Sequence, residues 1–89
     1  MANRKDLKKN INYICGELFT ECVVVSNFSP NADVNKAADI MAEILSTQNE
    51  FITRISHTER GKEKVFYKKL YVDFNTKVQE IIDKLQSLN

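Results

Sequence analysis

The sequence predicts an all-α fold, a three-helix up-down-up antiparallel bundle, and three observations carry that expectation. Apolar residues recur in steps of three and four along nearly all of the 89 residues. Only two glycines and one proline interrupt them, too little material for the tight turns of a hairpin-rich sheet. The helix formers Lys, Glu, Leu, Ile and Ala are abundant. At 43% apolar and 28% charged, the chain is expected to form one domain, residues 1–89, around one core.

The first helix is expected over about residues 4–25. Its stripe runs Leu7, Ile11, Ile14, Leu18, Cys22 and Val25, widened by Cys15 and Phe19. Asn3 is placed to cap its first turn, and Asp6 puts an acid where the helix dipole favours one. The second helix is expected over 30–58, with Ser29 as cap and Pro30 at the first helical position, where a missing N–H costs nothing. Its stripe reads Val34, Ala37, Ala38, Met41, Ile44, Leu45, Gln48, Phe51, Ile52 and Ile55. Gly61 is suited to the left-handed conformation that closes a helix. A third helix then follows over 62–88, with Phe66, Leu70, Phe74, Val78, Ile81, Leu85 and Leu88 along its seam.

Two short connections make consecutive helices antiparallel, so the first and third run parallel. With turns near Phe28 and Arg60, a residue of the first helix lies level with one about 63 positions later in the third. Leu7 then meets Leu70, Ile11 meets Phe74, Leu18 meets Ile81, Cys22 meets Leu85 and Val25 meets Leu88. Ile44, Met41 and Val34 are expected at the third corner of successive layers. The stripes are wider than this core needs. Phe19, Val23, Tyr67 and Tyr71 stand out as an apolar contact face, and a protein partner or a homodimer formed through helix faces is the expected use.

Charge is unevenly distributed. Ten of the thirteen Lys and Arg residues fall in 1–13 and 47–71, which the bundle brings to one end. That half carries ten cations against four acids, net +6; the other carries three against eight, net −5. Cations near helix starts oppose the backbone dipole by about 0.3–1 kcal/mol each when well placed. The alternative function is therefore an anion-binding module whose basic end, especially Lys8, Arg54, Lys68 and Lys69, engages phosphates, nucleic acid or an acidic protein. Specific nucleic-acid recognition is not expected, because neither a recognition-helix signature nor an Arg-rich run is present.

Residues capable of chemistry do not assemble into a known site. Cys15 and Cys22, seven apart, share a helix face but are separated by about 10 Å of rise, beyond the roughly 7 Å Cα separation that a disulfide tolerates. They read as buried thiols. His57 is expected at the basic end, far from Cys22, which rules out a Cys/Cys/His metal set. Glu17, Glu21, Asp39 and Glu43 come roughly level on neighbouring helices but lack the Glu-x-x-His pairs of a di-iron bundle. No phosphate-cradling Gly-rich loop or nucleophile elbow occurs. No enzymatic activity, metal or other cofactor is expected. The longest apolar run, Cys22 to Val25, is far short of the ~20 residues of a membrane span. With no apolar signal core after Arg4 and Lys5, a cytoplasmic location is expected.

The segments Arg4-Lys5-Asp6-Leu7-Lys8, Ile11-Asn12-Tyr13-Ile14-Cys15 and Leu18-Phe19-Thr20-Glu21-Cys22 resemble a group of short, uncharacterised bacterial helical proteins. Arg54-Ile55-Ser56-His57 and the stretch Tyr67 to Asn75 are similar too. The resemblance implies a compact helical protein; it transfers no activity and no site residue.

Overall fold

A computed structural model describes residues 4–58 and 60–88. Three helices account for nearly all of them: α1 (Arg4–Phe28), α2 (Val34–Ser56) and α3 (Glu63–Ser87). They pack as a rod of 51 × 19 × 18 Å, a three-helix bundle without strands among the described residues. Side-chain contacts fix its direction. Arg4 Nη2 donates to the Thr58 carbonyl at 2.9 Å, Gln48 Nε2 to Asn12 Oδ1 at 2.7 Å, and the Cys22 thiol to the Ala37 carbonyl at 3.4 Å. Numbers rise along α1 as they fall along α2, so the pair is antiparallel. Arg54 with Asp73 and Glu43 with Lys84 give the same sense for α2 and α3.

The interior is one apolar cluster. Leu7, Ile11, Cys15, Leu18 and Cys22 come from α1, and Leu70, Phe74, Ile81 and Leu85 from α3, joined by Leu88. The expected pairs Leu7/Leu70, Ile11/Phe74, Leu18/Ile81 and Cys22/Leu85 are thus all buried together; Val25 is half-buried beside them. Near mid-rod Phe51 meets Phe74 edge to face, ring centres 5.2 Å apart, a geometry that sets ring edge against the electron-rich face.

The second helix departs from the sequence reading in two ways. It starts at Val34, not near Pro30, because Asp33 rather than Ser29 is the cap: its carboxylate accepts from the Asn35 and Lys36 N–H groups at 2.9 and 3.3 Å. A carboxylate satisfies those donors and complements the helix dipole as well. Upstream, α1 extends to Phe28, and the Ser29 N–H still bonds to the Val25 carbonyl at 3.0 Å. Its buried row is also turned. Ala37, Ile40, Ile44, Thr47, Phe51 and Ile55 are buried, whereas Val34 and Leu45 are 70% and 54% exposed and Ala38 is exposed. Ile40 and Thr47 replace them in the core. Met41 is half-buried and Gln48 sits at the rim, bonded to α1.

The α2–α3 connection uses Gly61 at φ +88°, a left-handed conformation in which a side chain would be strained. The Gly61 N–H reaches both carboxylate oxygens of Glu63 at 3.0 Å. These bonds hold the Glu63 carboxyl below its usual range, helped by the charges of Arg4 and Arg60. Just before the connection, buried Thr58 donates its hydroxyl to the Ile55 carbonyl at 2.7 Å. The expected caps and charges at Asn3 and Glu59 lie outside the described residues.

Candidate interaction surfaces

Each helix pair meets in its own way. Glu43, on the α3 flank of α2, accepts from Lys84 Nζ at 2.8 and 2.9 Å and from Lys77 Nζ at 3.4 Å. These two ammonium groups hold its carboxyl below the ordinary value, Lys84 contributing most, and Glu43 raises Lys84 in return. Farther along, Arg54 donates to Asp73 at 2.8 Å, lies 3.7 Å from Glu50, and places its guanidinium 4.9 Å from the Phe51 ring centre. The α2–α3 flank is therefore bridged at two levels.

Between α1 and α3, which pack least extensively on one another, lies a groove. Ile14, Leu18 and Val25 line it from α1, and Val78, Ile82 and Leu85 from α3. Glu17 and Glu21 form its α1 rim, with no ion pair for either among the described residues. Tyr13, 69% exposed, overhangs the same groove.

The four residues of the expected apolar face fall on two flanks. Phe19 and Val23 follow Asn12 by seven and eleven positions, on the side of α1 that reaches Gln48 of α2. Both are half-buried, Phe19 against the core. Tyr67 and Tyr71 instead precede Val78 and Ile82 on the groove side of α3, in steps of four, seven and four. Tyr67 is half-buried with its ring edge-on to Phe66, centres 6.0 Å apart, and Tyr71 is 37% exposed. None of these four is among the residues that line the groove itself. Ile14 and Val78, which read as core from their place in the stripes, line it instead, together with Ile82.

At the basic end, Lys8 is half-buried on α1, and Lys68 and Lys69 are exposed on α3. As sequence neighbours on a helix, the last two point about 100° apart. Arg54 is already paired. Its partner Asp73 therefore belongs with the basic half, which changes the two halves from +6 and −5 to +5 and −4. His57 caps the C-terminus of α2 and is exposed. Cys15 and Cys22 are free and buried, and burial pushes both thiols up. Among the described residues no helix is long and apolar enough to cross a membrane.

No protein-family model, curated protein or solved structure matches this chain. Its surfaces must be read on their own chemistry.

Proposed function

We propose that this chain is a non-enzymatic protein-interaction module that self-associates through the α1–α3 groove, with a second antiparallel copy as its partner. The observation that carries the reading is the open apolar strip of Ile14, Val25, Val78 and Ile82, continued toward the basic end by Tyr71. Covering such a strip removes apolar area from water, worth about 25 cal/mol per Å² before the costs of association. Charge selects the direction. The groove lies in the acidic half of the rod, so an antiparallel partner sets its basic half, with Tyr67 and Tyr71, over it, whereas a parallel pair would oppose like charges. A cytoplasmic setting is part of this reading, since free thiols such as Cys15 and Cys22 are ordinary there.

Light scattering coupled to size exclusion, at roughly 50 and 200 mM salt, tests it, because that range strongly alters charge-driven association. A dimer at both salts is expected, and Ile82→Glu should make it a monomer. A monomer at both salts would overturn the proposal.

A further inference from the structure

A second depression, of about 530 Å³, lies at the basic end where α2 gives way to α3. His57, Lys62, Val65, Phe66 and Lys69 line it. Its chemistry differs from that of the groove. Val65 is 77% exposed although it follows the start of a well-formed helix by two residues, and the neighbouring Phe66 ring is half-buried. Around this apolar floor stand two ammonium groups and an imidazole.

The geometry points to a binding site for an amphipathic monoanion, a carboxylate carrying an aliphatic or aromatic body. The body would cover Val65 and Phe66 while the carboxylate stays at the rim with Lys69. An apolar floor gives nothing to a compact, doubly charged and strongly hydrated phosphate, which would have to shed water against it. A neutral apolar molecule would gain the floor but not the rim. The site therefore asks for both features in one ligand, and Lys→Ala changes at its edge would remove methylene packing together with charge.

The test is an amide chemical-shift titration of the isotopically labelled full chain, with octanoate as probe and octanol, acetate and inorganic phosphate as comparisons. Octanoate should shift the amides of His57, Lys62, Val65, Phe66 and Lys69, and the other three probes should bind at least several-fold more weakly. Lys69→Glu, which replaces attraction with repulsion at an exposed position, should lower octanoate affinity roughly fivefold. Val65→Ser should lower it roughly threefold. Both residues are exposed, and circular dichroism checks that each variant keeps its helices. Shifts centred on Ile14, Val78 and Ile82 would overturn the assignment, as would equal binding of octanol, acetate or phosphate. So would an unchanged affinity in folded Lys69→Glu.

Discussion

Along α2, polar side chains reach across to both neighbours: Gln48 to Asn12 on α1, Glu43 to Lys77 and Lys84 on α3, Arg54 to Asp73. On the opposite side of the rod, α1 and α3 face each other across Ile14, Val25, Val78 and Ile82, with Glu17 and Glu21 at the edge. The comparison separates two tasks. Directional bonds around α2 set which helices are neighbours and at what level. The groove flank, where Glu17 and Glu21 make no ion pair among the described residues, is the one with apolar surface to offer, since side chains already committed to an intramolecular partner would have to break that contact before meeting another molecule.

Substitutions can probe both sides of this comparison. Phe74→Ala should cost the most, about 3–5 kcal/mol of stability by urea unfolding, because Phe74 is buried and packs edge-on against Phe51. It tests the core that both flanks share. Ile82→Glu and Phe19→Glu form the sharper pair. The first should weaken self-association by at least roughly tenfold, equal to about 1.4 kcal/mol, while the second, on the α2 flank, should leave the dimer intact; equal losses in light scattering would erase the distinction between the flanks.

Asp33→Ala should cost about 1 kcal/mol of stability without changing the oligomeric state, measured by thermal unfolding and size exclusion. Glu43→Gln should cost less, about 0.2–1 kcal/mol near neutral pH. The Glu43 carboxyl lies below its ordinary value in the fold, so its stabilisation is fully present above the unfolded value and is lost as pH falls through the folded value. The stability difference between Glu43→Gln and the parent should therefore close in acid; a gap that stays constant at low pH would count against the lysine pairing. Smallest of all, Lys8→Glu should leave the dimer unchanged at roughly 200 mM salt, where exposed charges beyond a Debye length are screened.

Much of the fold was legible because burial follows periodicity. In α1 and α3 a single row of large residues dominates, and Leu7, Ile11, Leu70 and Phe74 could be paired from spacing alone. In α2 two adjacent rows are apolar. Val34, Ala38 and Leu45 compete with Ala37, Ile40 and Ile44, and a one-position change of row rotates the choice by about 100°. The cap was misplaced for a similar reason: Ser29-Pro30 and Asp33 both form acceptable starts, and the better acceptor lay nearer the helix. The surface was harder to read. A stripe tells which side of a helix is inside but not which flank meets which neighbour, because an up-down-up bundle can turn in either hand. That is why Phe19 and Val23 were grouped with Tyr67 and Tyr71. Complementary pairs such as Asn12 with Gln48 and Glu43 with Lys84 held the missing information, but only once the helices were set side by side.

The thiol of Cys22, closed against the Ala37 carbonyl and raised by burial, gives the molecule a built-in clock. Alkylation requires an accessible thiolate, so a maleimide must wait until α1 and α2 part. The rate at which it consumes Cys22 would time that parting, and an intervention that slows the reaction without altering free-thiol chemistry must be holding the first two helices together.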